Sequence, residues 1–164
     1  MNIGRDKKDI TIDGLEIVGR NVRYCIHDEL GGDIFYPCTH TYKNCKMSML
    51  SEPNEIFDSP RCIGGGLHGG NTINIEGCVF NDKMTTSSVD YHSNWNGGIQ
   101  PYDCVVNVKD CVFETSTVSC TSICQYTEHK NTMYCSNNLC KTEPFVTNND
   151  TTNFNMVKWN NVIN

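Results

Sequence analysis

T-Y-K-N-C-K-M at residues 41–47, I-N-I-E-G-C-V-F at 73–80 and V-N-V-K-D-C-V-F at 106–113 are three copies of one pattern. Each runs apolar or aromatic, charged, small or polar, cysteine, one variable residue, then a large apolar residue. The cysteines, Cys45, Cys78 and Cys111, are 33 residues apart. Regular self-similarity at this period marks a stacked architecture, in which each repeat buries its apolar face on its neighbours.

Weaker copies extend the pattern outward. Ile10 to Ile17 places Leu15 in the cysteine slot, Met133 to Asn138 places Asn138 there, and Val157 to Val162 places Val162 there. Six copies then occupy 164 residues, with steps of 30, 33, 33, 27 and 24 between slots. A constant local motif joined by loops of varying length is the signature of a solenoid.

Inside each copy the apolar period is two. Ile10/Ile12, Ile73/Ile75 and Val106/Val108 alternate with polar residues, as half-buried strands do, and β-branched residues suit a pleated surface. The 33-residue period also matches ankyrin repeats, but those require amphipathic helices, and no helical stripe is present. Further strands follow the first of each copy: Val22–Asp28 and Val89–His92, with weaker runs at Val118–Ile123, Cys62–Ile63 and Phe145–Val146. Two or three short strands per 24 to 33 residues make one coil of a parallel β-helix. Coils stack at about 4.8 Å, so six would give a rod on the order of 30 Å long.

Stacking predicts columns. Cys45, Cys78 and Cys111 form one inside, as small apolar groups. Met47, Phe80 and Phe113 form a second, also inside. Lys43, Glu76 and Lys109 form a third outside, with alternating sign, which favours this register by under about 1 kcal/mol per exposed pair.

The length fits a single domain spanning 1–164. A net charge of -6 offers no basic face, so nucleic acid is not an expected partner. No apolar run reaches the 18 to 20 residues of a membrane helix, and no membrane is expected as partner. The N-terminal M-N-I-G-R-D-K-K-D-I lacks the apolar core of a signal peptide. The ends carry no capping helix, so a fragment of a longer rod, or an end covered by another copy, is expected.

Eleven cysteines is an odd number and high for this length. Interior stacking accounts for Cys45, Cys78 and Cys111 as thiols, and Cys25 and Cys62 can serve similarly. Mostly free, buried thiols are therefore expected, with assembly in a reducing cytoplasm. Cys120, Cys124, His129, Cys135 and Cys140 could supply a zinc site, but the spacings are not of the tight C-x2-C type and Cys135 already belongs to the repeat. Core filling is the preferred reading. No metal and no cofactor is expected.

The I-x-I-x-[GND]-C-x-F copies, R-Y-C-I-H-D-E from Arg23, G-G-G-L from Gly64 and Y-H-S-N from Tyr91 resemble the pectin-lyase-like superfamily. The closest flavour is its carbohydrate-directed members in phage tail fibres, tailspikes and bacterial surface proteins. The resemblance covers about residues 9 to 163 and implies an all-β fold: a right-handed, single-stranded parallel β-helix of about six coils. It also implies a polysaccharide partner, location on a virion or extracellular surface, and a parallel homotrimer or a longer parent chain. Fold does not assign chemistry. Gly66-Leu67-His68-Gly69-Gly70 is similar to one polygalacturonase motif, but that family's other three motifs are absent. With arginines only at 5, 20, 23 and 61, there is no lyase R-x-P-x-x-R and no esterase R-x-W.

A polar strip remains. His27, Asp28 and Glu29 end a strand of the first coil, His68 follows the glycine run of the second, and Asp90, Tyr91, His92 and Trp95 occupy the third. If the coils register, these groups converge on one exposed face and suit a sugar: Tyr91 or Trp95 offers a flat apolar surface, and the polar groups bond hydroxyls. The alternative function is a glycoside hydrolase or polysaccharide lyase. Asp28 or Glu29 would then be the general acid opposite Asp90, or His92 the base. Against both stands a structural role, since Asp, Asn and His at turn edges commonly bond the backbone.

Overall fold

One residue with positive φ bends each repeat: Gly14 (73°), Asn44 (50°), Gly77 (61°), Asp110 (54°), Asn137 (55°) and Asn160 (53°). A Cβ crowds the backbone in the left-handed region, so glycine enters it freely and Asn or Asp tolerate it better than other residues. That requirement explains why the position before each slot reads G, N, G, D, N, N. The turns stack too: Gly14 N–H donates to Lys43 O at 3.0 Å, Asn44 N–H to Glu76 O at 2.9 Å and Gly77 N–H to Lys109 O at 3.0 Å.

These turns separate the strands of a computed structural model that describes residues 1–3, 9–20, 22, 24–28, 38–50, 61–64, 71–83, 97–99, 104–114, 119–120, 131–140, 146–147 and 154–164. After β1 (Asn2–Ile3), the chain makes β2 (Ile10–Asp13), β3 (Glu16–Arg20) and β4 (Tyr24–Asp28). It repeats with β5 (Thr39–Lys43), β6 (Lys46–Leu50) and β7 (Arg61–Gly64), then β8 (Asn71–Glu76), β9 (Val79–Lys83) and β10 (Gly97–Ile99). Next come β11 (Cys104–Lys109), β12 (Val112–Phe113) and β13 (Ser119–Cys120), then β14 (Asn131–Ser136), β15 (Leu139–Cys140) and β16 (Val146–Thr147). The last two are β17 (Phe154–Trp159) and β18 (Val162–Ile163).

Every strand pairs in parallel with its equivalent one repeat away. The sheets are ordered β1-β4-β7-β10, β17-β14-β11-β8-β5-β2 and β18-β15-β12-β9-β6-β3, with β13 beside β16. The protein is therefore all-β, with parallel strands in stacked sheets and no helix among the described residues, an arrangement compatible with a parallel β-helix.

The expected columns form. Cys45, Cys78 and Cys111 are buried, as are Met47, Phe80 and Phe113. The rings of Phe80 and Phe113 stack with centroids 4.9 Å apart and planes at 10°. Ile17, in register with Met47, and Cys140, in register with Phe113, extend that column in both directions. A second interior column runs Ile12, Tyr42, Ile75, Val108, Cys135. Outside, Lys43 Nζ lies 3.4 Å from Glu76 Oε2 across the predicted pair, while Lys109 reaches Asp110 of its own turn at 3.6 Å. The eight described cysteines whose side chains are placed are buried thiols outside any disulfide: Cys25, Cys38, Cys45, Cys62, Cys78, Cys111, Cys135 and Cys140.

The last slot is Asn161, not Val162. Val162 pairs with Leu139, the residue after the Asn138 slot, and its N–H donates to Asn138 O at 2.8 Å, as Leu139 N–H does to Cys111 O at 2.9 Å. The inner residue of the last first-strand is consequently Met156, paired with Met133. Val157 is exposed and only imitates an inward β-branched residue. Lys158 stands in register with Cys135, in a column that is otherwise apolar or aromatic. Asparagine takes over the sulfur's role in the last two slots. Asn138 Nδ2 donates to Val108 O at 3.2 Å and Asn161 Nδ2 to Cys135 O at 3.0 Å, where Cys111 Sγ donates to Ile75 O at 3.6 Å.

Two glycine turns should respond differently to a methyl group. Both Gly14→Ala and Gly77→Ala impose a left-handed alanine, costing about 1–2 kcal/mol. A Cβ at Gly14 meets nothing within 4 Å, whereas one at Gly77 comes 2.9 Å from Asn44 Oδ1. Asn44 must then swing away from Asp13, whose carboxylate its Nδ2 bonds at 2.9 Å. Gly77→Ala is expected to lose about 0.5–1 kcal/mol more in urea unfolding. Equal losses would show that the approach to Asn44 carries no cost.

Candidate functional site

The outer face of the six-stranded sheet β2-β5-β8-β11-β14-β17 is built by the alternation that fills the core. Because His40, Tyr42, Ile73, Ile75, Val106 and Val108 point inward, the residues between them point out. Three outward columns result. Thr39, Thr72, Val105, Thr132 and Asn155 form the first; Thr11, Thr41, Asn74, Asn107, Tyr134 and Val157 the second; Asp13, Lys43, Glu76, Lys109, Ser136 and Trp159 the third, in which Ser136 is itself buried. Neighbouring rows are about 4.8 Å apart and neighbouring columns about 7 Å apart.

The middle column is joined end to end. Asn107 Nδ2 donates to Asn74 Oδ1 at 2.8 Å, and Asn74 Nδ2 donates to Thr41 Oγ1 at 3.3 Å. Each bond points the same way along the stack. The Thr41 hydroxyl hydrogen is left to donate outward, and Asn107 Oδ1 is left to accept. Past Asn107 the column runs to the exposed ring of Tyr134 and then to exposed Val157, with the exposed indole of Trp159 beside Val157 in the next column. Lys43 and Glu76 flank the run with a salt bridge. The surface is an array of amides and hydroxyls with two aromatic rings at one end. It can bond hydroxyls along a linear ligand and stack on flat apolar faces.

These residues were present in the repeat as the Asn of I-N-I and V-N-V and the Thr of T-Y-K, four positions before each cysteine. Spacing alone distinguishes such a column poorly from an ordinary solvated strand face. Its meaning depends on neighbours 33 residues away.

Asp28 takes a different place from the exposed strip expected of it. Its side chain is 1% exposed, inside the stack. His40 Nδ1–H donates to both carboxylate oxygens, at 2.9 and 3.0 Å, and the Tyr42 hydroxyl donates to Oδ2. His40 and Tyr42 are themselves 0% exposed, so the cluster touches no solvent. Burial, then the neighbouring Asp28 charge and the hydrogen bond to it, push the Tyr42 hydroxyl well above its ordinary pKa. The phenol therefore stays protonated and serves as a permanent donor. A carboxylate that orients a histidine can run acid–base chemistry, but only where substrate can reach it. Here the arrangement satisfies a buried charge.

His27, next along β4, is half-buried and stacks on Tyr24 with ring centroids 4.7 Å apart and planes at 6°. Its backbone N–H donates to Met1 O at 2.8 Å. Glu29, His68, Asp90, Tyr91, His92 and Trp95 lie outside the described residues, as do Cys124 and His129. Among the described residues no group of three or more His, Cys, Asp or Glu side chains is arranged to hold a metal ion.

No family model, curated protein or solved structure matches the chain.

Proposed function

We propose that the chain is a right-handed, single-stranded parallel β-helix of about six coils, of the pectin-lyase-like kind, and that it binds polysaccharide as part of a tail fibre or surface protein. The coil reading is supported by the order of strands, the two six-stranded sheets each gathering one equivalent strand from every repeat in chain order. The carbohydrate reading is carried by one observation: the hydrogen-bonded Thr41–Asn74–Asn107 run leading to exposed Tyr134 and Trp159. A polysaccharide lying parallel to the stack meets a donor or acceptor at each row and two rings at the end. Buried thiols outside any disulfide support assembly in a reducing compartment before release to a virion or extracellular surface. His27, half-buried beside Tyr24, is a second candidate contact.

A glycan array followed by a reducing-end assay tests this reading. Retention of a linear glycan without new reducing ends is expected. Trp159→Ala and Tyr134→Ala should each weaken that retention about tenfold, or roughly 1.4 kcal/mol. If neither change matters but alanine at His27, His68 and His92 abolishes retention, the ligand lies on the strip instead. Release of oligosaccharides would establish an enzyme.

A further inference from the structure

The interior thiol column has more regularity than core filling demands. Cys45, Cys78 and Cys111 Sγ each donate to the carbonyl two residues back, Lys43, Glu76 and Lys109, at 3.2, 3.5 and 3.2 Å. Each also lies near a carbonyl one repeat away, Ile12, Tyr42 and Ile75, at 3.7, 3.5 and 3.6 Å. Matching contacts in successive repeats mean that one sulfur maps on the next by simple translation along the stack. Neighbouring sulfurs are therefore about one strand spacing apart, about 4.8 Å.

Each sulfur has a backbone donor as well. The N–H groups of Leu15, Cys45 and Cys78 face the sulfurs of Cys45, Cys78 and Cys111, respectively. Such donors favour thiolate over thiol. Hydrogen bonding from Cys111, helped by the Cys45 and Glu76 groups, brings the Cys78 thiol below its ordinary value despite burial. Burial raises Cys45, and the hydrogen bond to Cys78 together with burial raises Cys111.

A disulfide would need the sulfurs drawn to about 2.05 Å, and hence new rotamers and lost carbonyl contacts. A linear two-coordinate ion needs no such movement. A zinc–thiolate bond is about 2.3 Å, and two thiolate–metal bonds of about that length in line span about 4.6 Å, close to the spacing already present. Tetrahedral zinc is not supplied, since no third or fourth ligand converges among the described residues. Soft thiolates select monovalent copper or a similar ion.

We propose that Cys78 and one of its column neighbours, Cys45 or Cys111, form an interior binding site for a soft monovalent d10 ion, copper(I) or silver(I). Two thiols and the ion yield a bis-thiolate anion and two protons released to water, with no change of oxidation state. The backbone N–H donors hold the negative charge.

The test uses the full chain with Cys62→Ser as background, because Cys25 and Cys62 form another buried neighbouring pair on β4 and β7. Copper(I) is supplied anaerobically in acetonitrile, and silver(I) in a parallel series, with weakly held ion removed by a competing thiol. One ion retained per chain, with two sulfur neighbours by X-ray absorption, is the expected result. Cys45→Ser alone and Cys111→Ser alone should each keep the ion, because each leaves one pair. Cys78→Ser should lose it, and so should the Cys45→Ser/Cys111→Ser double variant, which leaves Cys78 without a neighbour. Retention by Cys78→Ser or by the double variant would overturn the proposal, as would failure of the background protein to retain either ion.

Discussion

Asp28→Ala is expected to cost about 3–5 kcal/mol, the range for removing one member of a buried charged cluster. The reason lies in what the substitution leaves behind. His40 Nδ1–H and the Tyr42 hydroxyl both end on the Asp28 carboxylate, and all three side chains are buried. Without the carboxylate, two donors remain in a region that water does not reach, and each carries its full desolvation penalty. Tyr42→Phe should cost less, about 1.5–3 kcal/mol, because the carboxylate keeps His40. The two effects should fall short of additive in a double-mutant cycle, since Asp28→Ala already removes the partner of the Tyr42 hydroxyl. Urea unfolding followed by far-UV circular dichroism measures all of these. If Asp28→Ala lies within about 1 kcal/mol of the parent, the cluster does not bear on stability. The triple variant Asp28→Leu/His40→Ile/Tyr42→Phe has the opposite expectation, neutral or stabilising, because it removes the buried charge with its partners.

Phe80→Ala should be comparably damaging, by about 3–5 kcal/mol. Phe80 is 1% exposed and sits in register between Met47 and Phe113, with its ring stacked on that of Phe113. Truncation opens a cavity whose walls belong to hydrogen-bonded parallel strands on both sides, and these cannot collapse without breaking register. The lost ring stacking adds about 0.5–1.5 kcal/mol beyond area burial. Phe80→Leu keeps most of the volume and should cost about 1–1.5 kcal/mol. Similar losses for the two substitutions would show that the column relaxes freely around residue 80.

The columns through Cys45 and Met47 were legible in the chain because a parallel stack repeats side-chain environment with chain distance. Equivalent positions face equivalent neighbours, so similar residues recur. Where an environment ceases to repeat, residue type no longer marks the equivalent position. At the last repeat, Met156 and Asn161 hold the positions that Val157 and Val162 imitate, and Lys158 holds a position that is apolar or aromatic in every earlier repeat. Strand alternation has only two phases, so misplacing one residue inverts every side chain.

The amino-acid order by itself determined the class of fold, through its period of two, its left-handed Gly, Asn and Asp turns and its recurring slots. All of these are local chemistry copied from repeat to repeat. Tertiary structure alone decided which polar groups face water. Asp28 ends its strand as an exposed acid would, yet its partners stand 12 and 14 residues further on in β5 and enclose it. Asn74 and Asn107 look like ordinary solvated amides until the stack joins them. The meaning of a polar side chain is set by what it bonds, and here its partner arrives from another strand.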